Sequence, residues 1–171
     1  MKKHYSWLLF DADDTLFDFQ RAEGQALTST FKVLNLPFGE DTLGRYRRIN
    51  QALWQALERQ EITAALLPQR RFELLLDDLQ LTYPAQQMSA TYVEQLGLQT
   101  DLMDGAAEVL AALQATHRFA IVTNGLKTVQ RSRMGLSTIG NYFSDLIISE
   151  EIGAAKPKAA FFDTAFARLG Q

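Results

Sequence analysis

The chain has no cysteine among its 171 residues. That excludes a disulfide framework, a thiolate metal site and a cysteine nucleophile, and it accords with a reducing compartment. Histidine is nearly as scarce: His4 and His117 lie far apart, have no partners at metal-ligand spacing, and read as structural. No long apolar run occurs near the start. Trp7–Phe10 supplies four apolar residues before Asp11, too few for a signal-peptide core or a membrane span. Charge of one sign is lacking too. Seventeen Lys and Arg face 20 Asp and Glu, and a net charge of -3 is too balanced to hold a nucleic acid polymer or an anionic membrane by bulk charge. Proline numbers only four, and no repeat, low-complexity tract or Pro/Gly/Ser-rich linker interrupts the chain. These absences predict a cytoplasmic globular protein with neither a nucleic acid nor a membrane as partner.

What is present is enough apolar surface for a core, 47% hydrophobic with 11% aromatic residues. Three short apolar runs, at Trp7–Phe10, 119–122 and 146–148, each stop at polar residues, the pattern of strands buried on both faces of a parallel sheet. Helical patterns at 104–116, with Asp104 in the N-cap position, and at 127–136 place strand, helix and strand in alternation. A further helix is expected at 158–168, opened by Pro157. The interval 19–102 differs: it carries four helical patterns, at 21–35, 41–59, 63–79 and 84–96, and no strand-like run. The prediction is an α/β fold, a Rossmann-like parallel sheet core at 1–18 and 103–171, with an all-helical domain inserted at 19–102.

In an open parallel sheet, ligands bind beyond the carboxyl ends of the strands. The first run ends in Asp11-Ala-Asp13-Asp14, and bunched carboxylates there require a counter-charge, most commonly a hard divalent cation held through oxygen. The second ends in Thr123-Asn124-Gly125, a hydroxyl, an amide and a turn whose backbone N–H groups suit an anion. Past the third comes Lys156-Pro157. Each motif alone is an ordinary turn or helix start. Together, in the order Asp, Thr, Lys at three successive strand ends, they describe a phosphoryl-transfer site.

At these residues the sequence resembles the haloacid dehalogenase-like hydrolase superfamily: Leu-Phe-Asp-Ala-Asp-Asp-Thr-Leu at 9–16, Ile-Val-Thr-Asn-Gly at 121–125, and Lys156-Pro157. The helical insertion falls where that superfamily carries a cap domain that covers the site and selects the substrate. Within it, Ala-Asp-Asp-Thr-Leu-Phe at 12–17, Trp54 with Glu-Ile-Thr at 61–63, Arg71-Phe72 and the segment 148–157 look most like the bacterial pyrimidine 5'-nucleotidases. The resemblance implies a phosphatase with a small phosphomonoester substrate, a nucleoside monophosphate. Asp11 would attack phosphorus and carry an aspartyl-phosphate, and Asp13 would protonate the leaving oxygen and later deprotonate water. Mg²⁺ would be held by Asp11 and by the backbone carbonyl of Asp13, with phosphate on Thr123, Asn124 and Lys156. Trp54 and Arg71 would set substrate specificity from the cap.

The superfamily's pattern continues with a fourth, Gly-Asp-containing motif on a later strand, and no such motif follows the helix at 158–168. On that comparison the C-terminal strands and one metal carboxylate are missing. A complementing C-terminal segment, or self-association through the edge of the first strand, is the partner this implies. The alternatives are another phosphatase of the superfamily, a phosphomutase, or a truncated chain that only binds ligand or partner; a dehalogenase has no need of an acid at Asp13. Arg45, Arg47, Arg48, Arg70 and Arg71 form basic clusters that read first as a solvated face, Tyr92 reads as core, and Asp14 and Asp18 read as capping residues of the turn.

Overall fold

A computed structural model of the chain describes residues 5–171, so that His4 and the very start of the segment 1–18 lie outside the described residues. It divides into two compact units, Met1–Glu23 with Gly97–Gln171, and Gly24–Leu96.

The first unit is built on a parallel sheet of β1 (Trp7–Phe10), β2 (Arg118–Thr123) and β3 (Phe143–Ile148) in the order β1-β2-β3. Phe10 pairs with Ile121, and Thr123 with Ile148, so the three strand ends lie side by side. From Phe119 to Thr123 every residue of β2 is buried, which is why this strand reads as unbroken apolar sequence rather than as an alternation. Phe10, Phe119 and Phe143 cluster on one face, their ring centroids 5.5 to 6.1 Å apart. There they join Leu16, Phe17, Leu110 and Ile139 in the core. The opposite face is filled by Val122 and Ile147 against Phe161 and Ala165. Both faces are therefore covered, as a parallel sheet requires.

The helices around this sheet are α5 (Ala106–Leu113), α6 (Lys127–Leu136), α7 (Ser149–Ile152) and α8 (Ala159–Arg168), with a short 3-10 turn at Gly140–Tyr142. Three details correct the reading from sequence. Asp104 does not cap α5: Gly105 holds the N-cap position at φ 82°, a left-handed conformation that a side chain disfavours, and the helix ends at Leu113. Pro157 does not open α8 either. Lys158 is the N-cap, so the proline sits one residue outside. The third is α7, a single turn after β3 where polar residues gave only a strand end.

The second unit is entirely helical among its described residues. It holds most of α1 (Phe19–Val33), then α2 (Thr42–Glu58), α3 (Leu67–Asp78) and α4 (Ala85–Gly97). Three of these helices end alike, in a non-glycine residue at positive φ, Asn35, Gln60 or Gln80. In each the next N–H reaches back to close the last turn, Leu36 to Phe31, Glu61 to Ala56 and Leu81 to Leu76, all at 2.9 Å. Inside, the rings of Tyr46, Phe72 and Tyr92 lie 5.2 to 5.7 Å apart. Leu27, Phe31, Leu75 and Met88 are buried in the same unit. No helix among the described residues is long and apolar enough to cross a membrane.

Candidate active site

The three strand ends meet as their register requires. Asp11 follows β1 directly and sits one step past the Phe10–Ile121 pair, level with Val122. Its Oδ1 accepts from the N–H of Ala12 at 2.8 Å and faces the Lys156 ammonium at 2.8 Å. The same ammonium donates to the Val122 carbonyl at 2.9 Å. Lys156 therefore bridges the ends of β1 and β2. Its backbone is fixed in turn by Asn124, whose Nδ2 donates to the Lys156 carbonyl at 3.0 Å while its Oδ1 accepts from the Lys156 N–H at 2.9 Å. Both ends of the Asn124 amide are committed to that clamp. The Gly125 N–H is also taken, by Thr123 Oγ1 at 3.0 Å.

Between the two aspartates, Ala12 is fully buried, and its carbonyl accepts from the N–H groups of Leu16 and Phe17. This tight turn throws Asp11 and Asp13 to its polar side while Leu16 and Phe17 plug the core. Asp14, at φ 54°, accepts from the Phe19 N–H, and Asp18 accepts from the Arg21 N–H, so both cap the start of α1.

Asp13 has partners that the sequence reading did not find. Gln130 Nε2 donates to its Oδ2 at 2.7 Å, and Arg133 Nη1 to its Oδ1 at 2.5 Å, both from α6. Arg133 is completely buried, its guanidinium 5.0 Å from the centroid of the Phe17 ring. Each aspartate thus has its own cation from within the chain. The counter-charge that bunched carboxylates demand is supplied first by Lys156 and Arg133. The sequence offers only their i, i+3 spacing on a helix that opens just past Thr123-Asn124-Gly125, which does not say what they face.

The next ring of contacts holds α6 and α7 in place. Glu150 accepts from the Lys127 N–H at the start of α6. Glu151 takes Arg131 in a forked pair at 2.6 and 3.1 Å. That hydrogen-bonded guanidinium holds the Glu151 carboxyl below its ordinary range and raises Arg131 in return. Among the described residues no three acidic or histidine side chains converge as a metal cluster. Asp11 Oδ2 carries no hydrogen bond there, a hard oxygen of the kind Mg²⁺ takes.

The specificity candidates belong to the helical unit. Trp54, on α2, is half-buried. Arg71 is 3% exposed, its guanidinium 4.7 Å from the Tyr92 ring centroid and 5.3 Å from that of Phe72. Packed among these rings it has little surface to offer a ligand, and the expectation that it selects substrate gives way on that ground. Arg45 and Arg48 pair with Asp41, Arg45 also with Asp78, and Arg70 with Glu73, an ion-paired exposed face. His117 Nδ1 lies 2.8 Å from Thr116 Oγ1, just before β2 begins and so at the other end of that strand from Thr123.

The profile of the haloacid dehalogenase-like hydrolases matches residues 5–171. The chain belongs to that family. Among relatives, this hydrolase is 36% identical over 169 residues to the HAD-hydrolase YfnB of Bacillus subtilis, covering 99% of this chain and 72% of that one. It is 30% identical over 166 residues to the pyrimidine 5'-nucleotidase YjjG of Escherichia coli, covering 97% and 72%. The solved structure of YfnB, described as bound to magnesium, superposes with a TM-score of 0.90 over 97% of this chain and 73% of that one. The L-2-haloacid dehalogenase Rha0230 shares the fold at a TM-score of 0.75 and 16% identity, covering 96% and 68%.

Proposed function

We propose that this hydrolase is a Mg²⁺-dependent phosphomonoesterase working through an aspartyl-phosphate on Asp11, and that its substrates are nucleoside 5'-monophosphates with pyrimidine preference. The observation that carries the reading is the pairing of each aspartate with its own cation, Asp11 with Lys156 and Asp13 with Arg133. Asp11 is the half-exposed one, and it attacks phosphorus. Lys156 and the Ala12 N–H orient its carboxylate through Oδ1, and Lys156 offsets charge as phosphate approaches. Asn124 serves the phosphate end by fixing Lys156, and Thr123 by shaping the turn beside it. Asp13 gives its proton to the leaving oxygen and later takes one from water. Mg²⁺ would be held by Asp11 and the Asp13 backbone carbonyl, where its charge would neutralise the transferring phosphoryl group.

Pyrimidine preference rests on the likeness to YjjG, with Trp54 the residue in the helical unit that would read the base. The dehalogenase reading has no use for an acid two residues past the nucleophile, and its relatives here match at fold level alone. The test is hydrolysis of UMP, AMP and 2-chloropropionate with Mg²⁺ and with EDTA. Phosphate release from UMP above AMP, abolished by EDTA, with no chloride released, is the expected result. Chloride release independent of metal would overturn the assignment.

A further inference from the structure

Asp13 is held on both oxygens by two residues of one helix, and the surroundings of that contact are built to allow it. Gln130 and Arg133 lie one turn apart on the same face of α6, more than 110 positions along the chain from Asp13. Arg133 has no exposed side-chain surface, and its Nε and Nη2 have no hydrogen-bond partner among the described residues. Among the described residues its one ion pair is with Asp13. A buried guanidinium with a single carboxylate partner is an expensive arrangement unless that partner's placement matters. Gln130 is likewise buried, and among the described residues its Oε1 has no partner and the amide engages Asp13 alone.

Gly125 supplies the third observation. A β-carbon at that position would stand 2.3 Å from Gln130 Nε2 and 3.1 Å from its Cδ and Cγ. The Gln130 side chain passes over the bare Gly125 backbone on its way to Asp13. A methyl group at 125 would evict it.

We propose that Gln130 and Arg133 are positioning residues for Asp13, holding its carboxyl group in the place where it exchanges a proton with the leaving group and then with water, with Gly125 kept bare so that Gln130 can reach. This rests on the general-acid role of Asp13 given above. As the bond from Asp11 Oδ to phosphorus forms, the bond to the leaving oxygen breaks, its electron pair stays on that oxygen, and the Asp13 proton neutralises it. A poor leaving group depends on that proton, while an activated aryl oxide departs without it. Misplacing Asp13 therefore costs the first substrate more than the second.

The experiment compares kcat and KM on UMP and on p-nitrophenyl phosphate for Arg133→Met, Arg133→Lys, Gln130→Leu, Gly125→Ala and Asp13→Asn. Arg133→Met should lower kcat on UMP at least tenfold more than on the aryl phosphate with KM within threefold, and Arg133→Lys should recover part of that difference. Gly125→Ala, which keeps Arg133 in place, should reproduce the bias of Gln130→Leu and serves if Arg133→Met does not fold. Added to Arg133→Met, Asp13→Asn should bring little further bias, because residues acting as a unit are not additive. Independently of turnover, side-chain amide and guanidinium NMR signals of Gln130 and Arg133 should both shift in Asp13→Asn. Equal losses on the two substrates in the α6 variants, or faster UMP turnover in any of them, would overturn the positioning role. If Asp13→Asn itself shows no leaving-group bias, it is the general-acid reading that fails.

Discussion

Each unit of the chain buries an arginine against aromatic rings, and the two are used differently. In the helical unit Arg71 lies over Tyr92 and Phe72, and its strongest polar contact is a long one, 3.5 Å to Asn50 Oδ1, with Nε and Nη2 unpartnered among the described residues. In the α/β unit Arg133 lies over Phe17 and ends on a carboxylate at 2.5 Å. A guanidinium packed on rings with a weak polar contact is a space-filling cation. One that terminates on a carboxylate at a strand end ties the core to the candidate site. Burial and aromatic contact are common to both, so neither marks a site. The partner at the end of the side chain does.

The largest effect expected is on the α/β side alone. Asp11→Asn should lower turnover on the order of 10³-fold or more, since the proposed nucleophile is neutralised with its shape kept. Its carboxylate is half-exposed and Lys156 keeps the Val122 carbonyl, so unfolding free energy should move by less than about 1 kcal/mol. Activity within tenfold of the parent would remove Asp11 from its role.

The second test separates the two arginines by stability. Asp13→Asn strands a buried Arg133, and denaturant unfolding should register a loss of about 2–4 kcal/mol, somewhat below a fully buried pair because Asp13 keeps 27% side-chain exposure. Arg71→Met removes a guanidinium whose nitrogens are mostly unpartnered and should change stability by less than about 1 kcal/mol. Equal losses would erase the distinction. The ratio of kcat/KM between UMP and AMP sharpens it further. That ratio should stay within about twofold in Arg71→Met and fall by about tenfold in Trp54→Ala.

The smallest effect concerns the contact between α6 and α7. The folded Glu151 carboxyl is held below its unfolded value by Arg131, so the contribution is present above the unfolded pKa and is lost as pH falls through the folded one. Glu151→Gln should cost about 0.5 kcal/mol at pH 7 and nothing at strongly acid pH. A deficit that persists into acid would mean that packing, not charge, is what the substitution disturbs.

Much of this fold is legible in the sequence. Strand ends could be placed because parallel strands packed on both faces are unbroken apolar runs, and the half-buried β1 coincides with its run while β2 and β3 extend theirs by a few residues. Asp11, Asp13 and Lys156 could be singled out because each stands just past such a run. Gln130 and Arg133 could not, since their partner is more than a hundred residues away and polar residues on a helix ordinarily face water. Arg70 and Arg71 looked like one basic cluster. Adjacent helical positions point about 100° apart, so one reaches solvent and Glu73 while its neighbour enters the core. The α5 N-cap was misplaced by one residue because Asp104 has the better capping chemistry, whereas the backbone there needed positive φ.

The segments flanking the inserted helices are zipped together. Phe17 bridges Leu102 in antiparallel fashion, the Asp18 N–H donates to the Asp101 carbonyl at 3.0 Å, and the Met103 N–H to the Leu16 carbonyl at 2.9 Å. This clasp has a kinetic meaning. Trp7 and its partner Arg118 are 111 positions apart, a closure that ordinarily slows folding through lost chain entropy. Once the clasp forms, the segment 24–96 becomes a side branch, and the chain between β1 and β2 shortens to two brief arms and α5. A parallel pairing that is remote in sequence becomes nearly local once the clasp is made, so the cost of closing the chain over the helical insertion falls on the clasp and not on the pairing of β1 with β2.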